Sequence, residues 1–362
     1  MTTQVTHDRP TRLTELLTAA ELDLLLVTDL INVRYLTGYT GSNGLALVGP
    51  ELRRFITDFR YAEQAAAEVD PSFDRVQAPD DLLEGLSDAL PGGALRLGFE
   101  AAHTSVRQHA FLRERLADGV ELQPTADLVE SLRAVKDAAE IAAVRAATAV
   151  ADASFELLLQ DGLVGRSERE AAIALEHGLV LQGARRPSFE AIVAAGPHGA
   201  RPHATPRDVE IRRGDLVVID WGAQLDGYCS DCTRTVAAGE PEAEAQEIYD
   251  LVLEAQLAGL DAVRADRPTT EVDGVARDII AAAGHEDDFG HGLGHGVGLE
   301  VHEAPWLRRR SDEVLQAGNV VTVEPGIYLA GRFGIRVEDL VAVTEDGCEI
   351  LTSISKQLIV TD

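Results

Sequence analysis

The apolar positions of TRLTELLTAAE fall at Leu13, Leu16 and Leu17, the spacing of one face of an amphipathic helix. DLLLVTD follows, an apolar run too short for a helix, and it predicts a buried strand. YLTGYTGSNGLALVGP is a Gly/Ser/Thr-rich loop that feeds a second strand, RRFITD predicts a third, and RYAEQAAAEV returns to helical spacing. This alternation is that of an α/β domain. At LRAVKDAAEIAAVRAATAVADASFELLLQ the pattern becomes one long Ala- and Leu-rich helix with Asp137 or a neighbour as its N-cap. A domain boundary is therefore expected just before it, giving an N-terminal domain over 1–128 and a second over 129–362. The second mixes helices (SEREAAIALEHGLVLQG, EAEAQEIYDLVLEAQLAGLDAVR) with strands (LVVIDWGA, NVVTVEPGIYL, LVAVTEDG), which reads as α+β. Neither an internal repeat nor a low-complexity tract is seen.

Two stretches of the second domain predict hairpins that each present two acids. In LVVIDWGAQLDGYCSDCTRTV, the Asp226-Gly227 turn signal lies between β runs, and Asp220 and Asp231 would face each other across a turn centred between 225 and 226. In VTVEPGIYLAGRFGIRVEDLVAV, Glu324 and Glu338 are symmetric about Gly331, and Pro325 marks the first strand as locally irregular. Two carboxylates about 5 Å apart repel by roughly 3 kcal/mol at an effective dielectric near 20. Like charges directly opposite destabilise a sheet. A single such acid would ordinarily point to solvent. Four of them in two mirrored hairpins require a compensating cation or shared protons.

HGLGHGVGLEVHE, residues 291–303, adds His291, His295 and His302 to Gly292, Gly294, Gly296 and Gly298. Glycine at this density is expected where backbone must bend or a ligand must approach closely. Carboxylates with an imidazole suit hard or borderline divalent ions, and four carboxylates exceed what one ion needs. The expected site is a two-metal centre that activates water.

Composition narrows the alternatives. The chain of 362 residues carries 61 acidic and 32 basic side chains, a net charge of −29. That excess argues against nucleic acid as a partner, and Arg308-Arg309-Arg310 is the nearest thing to a basic cluster. Cys229, Cys232 and Cys348 give no disulfide framework and fit a reducing cytoplasm, and Cys229–Cys232 is formally a CxxC without a second pair. The start, MTTQVTHDRPTRLTELL, lacks the apolar core of a signal peptide, and no run reaches membrane-spanning length.

Taken together, Asp220, Asp231, His295, Glu324 in VEPGIY and Glu338 in GIRVED resemble the five-ligand set of the metal-dependent pita-bread peptidases. That family includes methionine aminopeptidase, prolidase and Xaa-Pro aminopeptidase. The first domain is similar to the creatinase/prolidase N-terminal domain, and TGYTGSNG with ITDFRYAEQA resembles bacterial Xaa-Pro aminopeptidases. The resemblance implies an α/β creatinase/prolidase-like domain followed by an α+β pita-bread catalytic domain. It implies that Asp220 holds one metal, that His295 and Glu324 hold a second, and that Asp231 and Glu338 bridge both. Glu324 would also take the proton of the attacking water. It further implies that His203 in ARPHATP contacts substrate, His302 stabilises the tetrahedral intermediate, His291 supports the ligands, Arg336 braces them and Tyr328 lines the site. The activity expected is removal of the residue preceding proline from peptides (Xaa-Pro aminopeptidase), with Xaa-Pro dipeptidase as the alternative. Mn²⁺ is the expected metal, with Co²⁺ or Zn²⁺ able to replace it. A cytoplasmic homodimer is expected, with segment 37–44 the candidate to approach a neighbour's site.

Overall fold

The computed structural model describes residues 8–78 and 81–362. Residues 1–7, the first part of the segment read for a signal peptide, lie outside the described residues.

The chain divides into two compact units, Met1–Arg133 and Ala134–Asp362. The division falls five residues beyond the expected boundary at 128, because the helix Leu128–Ala134 is tied to the first unit. Its Leu132 carbonyl accepts from the Tyr35 hydroxyl, its Glu130 accepts from Asn32, and its Arg133 donates to Asn32 Oδ1.

The first unit is built on a six-stranded mixed sheet in the order β4-β3-β2-β1-β5-β6. Its strands are β1 (Leu24–Val27), β2 (Leu45–Gly49), β3 (Leu52–Thr57), β4 (Asp74–Gln77), β5 (Leu95–Glu100) and β6 (Val120–Thr125). β1 is buried at all four positions, as a strand covered on both faces must be, and this is why it reads as an unbroken apolar run. Segment 37–44 is tied down inside this unit. Thr40 bonds to Glu68, Asn43 to Asp58, and Ser42 to the Tyr61 hydroxyl.

The second unit opens with the helix Ala138–Gln160, capped by Asp137 in a reciprocal capping box with Glu140. The helix Glu168–Leu181 follows, and then β7 (Arg186–Pro187) and β8 (Ile192–Ala195). Next come β9 (Leu216–Trp221), β10 (Ala223–Leu225), β11 (Tyr228–Cys229) and β12 (Cys232–Ala238). After the helices Ala243–Ala262 and Thr269–Ala282 the chain forms β13 (Gly294–Gly296), β14 (Glu303–Leu307), β15 (Val320–Val323) and β16 (Gly326–Leu329). It ends with β17 (Phe333–Arg336), β18 (Asp339–Val343), β19 (Cys348–Ile350) and β20 (Ile359–Thr361).

Two sheets form the scaffold, β20-β12-β9-β8 and β14-β13-β15-β18-β19, joined by the β16-β17 ribbon. The first helix pair packs on the first sheet, where Phe155 stacks on Trp221 with ring centroids 4.1 Å apart. The second helix pair packs on the second sheet through Val252, Val272, Ala276 and Ile280. Polar side chains of the site come from interior strands of the two sheets, Asp220 from β9 and His295 from β13.

Candidate metal centre

The first pair of acids comes from the β9–β12 hairpin. Asp226 and Gly227 both have positive φ, 46° and 83°, and occupy a two-residue turn closed by Leu225 and Tyr228. The turn is therefore centred between 226 and 227, one position later than the sequence reading placed it. Asp220 consequently pairs with Thr233, and Asp231 is not its direct partner. Strand alternation still returns Asp231, two residues before Thr233, to the face of Asp220. The expected juxtaposition survives as a diagonal one.

The second pair follows the expected register. Gly331 turns the ribbon at φ 78°, and the pairs Leu329–Phe333 through Gly326–Arg336 continue in register to Val323–Asp339. Glu324 and Glu338 sit opposite each other in the gap between those two paired stretches. There the ladder opens, and each backbone turns to another element. Glu324 N donates to the Leu293 carbonyl at 2.8 Å, and Glu338 N donates to the Thr233 carbonyl at 3.1 Å. Through these two bonds the Glu hairpin is stitched to the His-bearing strand on one side and the Asp hairpin on the other.

His295 lies on β13, between β14 and β15. A Cβ at Gly294 would run into the Thr322 carbonyl, and one at Gly296 into the Ala304 carbonyl. These two glycines admit neighbouring strands, whereas the sequence reading assigned them to ligand approach. His295 Nδ1 donates to the Gly296 carbonyl at 3.1 Å, which leaves Nε2 directed at Glu324 Oε1 (3.3 Å) and Asp231 Oδ2 (3.6 Å). An imidazole whose second nitrogen is held by a carbonyl is the usual arrangement of a metal ligand. β14 pairs with β13 through an irregularity, His295 opposite Trp306 but Gly296 opposite Glu303. The offset swings His302 back over His295, with ring centroids 4.3 Å apart.

Ligand atoms of Asp220, Asp231 and Glu338 lie within 4.8 Å of one another, as do those of His295, Glu324 and Glu338. Two overlapping triads thus share Glu338. Burial and mutual repulsion push Asp231 and Glu338 well above the ordinary carboxylate range. Burial raises Asp220 as well, opposed by Arg336. Burial also acts to raise Glu324, but the hydrogen bond and charge of His295 outweigh it and hold the group down to about 2. His295 Nε2 is thus the group that offsets the charge of Glu324.

Arg336 braces the cage. It donates to Asp220 Oδ2 (2.7 Å), the Thr233 hydroxyl (2.9 Å) and the Tyr328 hydroxyl (2.8 Å). Thr233 passes its own proton to Glu338 Oε2 at 2.7 Å. His291 Nδ1 donates to the Gly292 carbonyl, so Nε2 accepts from Tyr328 at 2.9 Å. Tyr328 does not line the cavity as expected; its hydroxyl is spent between Arg336 and His291. Behind Glu338, the fully buried Asp339 accepts from Arg234, Gln256, Thr352 and Lys356. Asp273 holds Arg277 in a two-point pair, and Arg277 donates to the His291 carbonyl.

The cage opens into a cavity of about 470 Å³. His203, His291, His302, Asp220, Asp231, His295, Glu324, Arg336 and Glu338 all line it. Phe189, Ile192, Pro202 and Trp306 form apolar walls, and Arg308 lies over the Trp306 ring at 5.1 Å. Sequence reasoning missed Thr233, Trp306 and this use of Arg308. Only Thr233 left a signal, as the residue facing Asp220 once the Asp-Gly turn is placed at 226–227. Cys229 and Cys232 are buried thiols that donate to carbonyls of Leu299 and Glu338, and burial raises both above the usual thiol range.

The donor set fits divalent ions on an observation independent of any relative. Asp220 Oδ1 and Glu338 Oε1 are buried side-chain oxygens without a hydrogen-bond partner, both on members of the cage. Buried carboxylate oxygens are rarely left unpaired.

Residues 142–345 match the model of metallopeptidase family M24, and residues 9–135 match the creatinase/prolidase N-terminal domain. The chain belongs to metallopeptidase family M24, the pita-bread peptidases, and carries the creatinase-type N-terminal domain ahead of the catalytic one. It is similar to a solved Xaa-Pro dipeptidase from Bacillus anthracis, at 40% identity over 98% of this chain and 99% of that one with a TM-score of 0.94. A solved X-Pro aminopeptidase from Thermotoga maritima matches at 36% identity over 98% and 100% of the two chains, TM-score 0.90. The Xaa-Pro dipeptidase of Pyrococcus horikoshii is 33% identical over 98% of this chain and 99% of its own length. Membership implies divalent metal ions. Among the described residues, no helix is long and apolar enough to cross a membrane.

Proposed function

We propose that this chain is a metal-dependent Xaa-Pro dipeptidase. Asp220, Asp231, His295, Glu324 and Glu338 would hold its divalent ions, for which Mn²⁺ is the proposed identity. The observation that carries the choice of substrate is Arg308. It is a guanidinium on the cavity wall, stacked on Trp306, available to the carboxylate that a dipeptide exposes immediately after proline. The names of the relatives from B. anthracis and P. horikoshii support the same reading. It takes the place of the aminopeptidase reading with which the sequence began. The T. maritima neighbour favours aminopeptidase as the second reading.

Bound ions would supply Lewis acidity and a water activated at neutral pH. The remaining work falls to the chain. Glu324 accepts the proton of the attacking water and returns it to the departing proline nitrogen, which has no N–H of its own in the peptide. His302 and His203 donate to the oxygen that gains negative charge. Arg336 holds Asp220 in place, and Phe189, Ile192 and Trp306 keep bulk water from the reacting bond. Homodimer formation and a cytoplasmic location belong to the same proposal, the first checked by light scattering.

Turnover of Ala-Pro and Ala-Pro-Ala is measured side by side with Mn²⁺-loaded protein and a chelator control. Rapid, chelator-sensitive cleavage of Ala-Pro with poor cleavage of Ala-Pro-Ala is expected. Preference for the tripeptide establishes the aminopeptidase instead, and activity on neither rejects both.

A further inference from the structure

Glu168, the first residue of the helix Glu168–Leu181, is 0% exposed, yet the charge of its carboxylate is fully used. It accepts from Ala195 N at 3.0 Å and from His198 Nδ1 at 2.9 Å. It also accepts from Arg207 three times: backbone N at 3.0 Å, Nε at 3.1 Å and Nη2 at 2.9 Å. Ala195 and His198 stand where the chain leaves β8, and Arg207 stands where it returns. The loop enclosed by these donors carries His203 into the cavity wall. Inside the loop, the Pro202 carbonyl accepts from Arg336 at 3.3 Å, and Arg336 also holds Asp220. His203 is thus suspended between a point referenced to the cage and a point referenced to Glu168.

We propose that Glu168 and Arg207 are positioning residues for His203, fixing by a two-point ion pair on a buried carboxylate where its imidazole meets the substrate carbonyl. The inference rests on the dipeptidase reading for the identity of the substrate. The chemistry of the pair supports the role. Burying a carboxylate is costly, and closing a loop needs no charge at all. A planar guanidinium on a carboxylate does fix direction as well as distance, which is what a residue four positions from a substrate contact can use.

The test compares Arg207→Ala, Arg207→Lys, His203→Ala and the double variant Arg207→Ala/His203→Ala. Arg207 is 45% exposed at its side chain, so its replacement leaves the core packed. Arg207→Ala is expected to lower kcat/KM on Ala-Pro about ten-fold or more, the scale on which misplaced groups act, with metal content unchanged. Arg207→Lys recovers part of the loss. In the His203→Ala background Arg207→Ala costs nothing further. Full activity in Arg207→Ala, or losses that simply multiply in the double variant, overturns the proposal. A readout independent of turnover accompanies it, the His203 resonance in ¹⁵N-histidine-labelled protein. It is expected to shift or broaden in Arg207→Ala, and an unchanged resonance overturns the proposal as well. Should the parent protein fail to cleave Ala-Pro, the dipeptidase reading falls while the resonance still decides the positioning role.

Discussion

Glu324 and Glu338 face each other at the one place where their hairpin is unpaired, between the pairs Val323–Asp339 and Gly326–Arg336. The opening lets each backbone bond elsewhere, Glu324 to Leu293 and Glu338 to Thr233. Three segments distant in sequence are thereby drawn to one cage. The consequences of crowding so many acids together can be measured.

Without metal, burial and repulsion from the neighbouring carboxylates favour the protonated forms of Asp231 and Glu338. Metal binding must displace those protons. Calorimetric titration of the metal-free protein, in buffers of different ionisation enthalpy, is expected to show proton release, and affinity is expected to fall as pH falls. Metal uptake without proton release would contradict this.

The same shifts set the stability of the metal-free chain. The folded state keeps these protons above the unfolded carboxylate range of about 4, where the unfolded chain has lost them. Native protein therefore binds more protons, and stability declines as pH rises through that window. Denaturant unfolding of chelated protein is expected to give a lower midpoint at pH 8 than at pH 5. Saturation with metal reverses the order.

Arg336 touches Asp220, Thr233 and Tyr328 with separate nitrogens, a geometry lysine cannot reproduce. Arg336→Lys is expected to cost about 10–100-fold in metal affinity or activity, the usual scale for groups that orient ligands. Tyr328→Phe leaves Arg336 in place and should lose less. Equal losses in the two variants would argue that Tyr328 meets substrate directly.

Lys136 and Glu303 form a buried pair at 2.6 Å, directly beside His302. Lys136→Met alone removes the ammonium that faces this buried carboxylate and is expected to destabilise by roughly 3–5 kcal/mol. Adding Glu303→Leu should recover much of that, as read from the shift in denaturation midpoint. No recovery would mean that the pair is held by packing rather than charge.

Legibility of the fold and the cage followed local chemistry. The Glu324–Glu338 register could be read because Gly331 marks the turn and alternation does the rest. The Asp hairpin was read one position off, since Asp226-Gly227 can seat its turn at either of two adjacent centres. α/β alternation, Asp137 as a cap and the long helix after it were visible as periodicity. The strand Leu95–Glu100 went unread, since its apolar run carries a charge and a glycine. Gly294 and Gly296 were noticed for the right reason, close approach, but what approaches is neighbouring backbone. That distinction depends on which strands flank β13, a tertiary fact. Arg308 over Trp306, and the Tyr328 hydroxyl held between Arg336 and His291, likewise arise only when separate elements meet.

Whether the five side chains hold two divalent ions is decided by anomalous diffraction from crystals of Mn²⁺-loaded protein. Two peaks are expected, one contacted by Asp220 and the other by His295 and Glu324, with Asp231 and Glu338 touching both. A single peak, or peaks away from these residues, would contradict it.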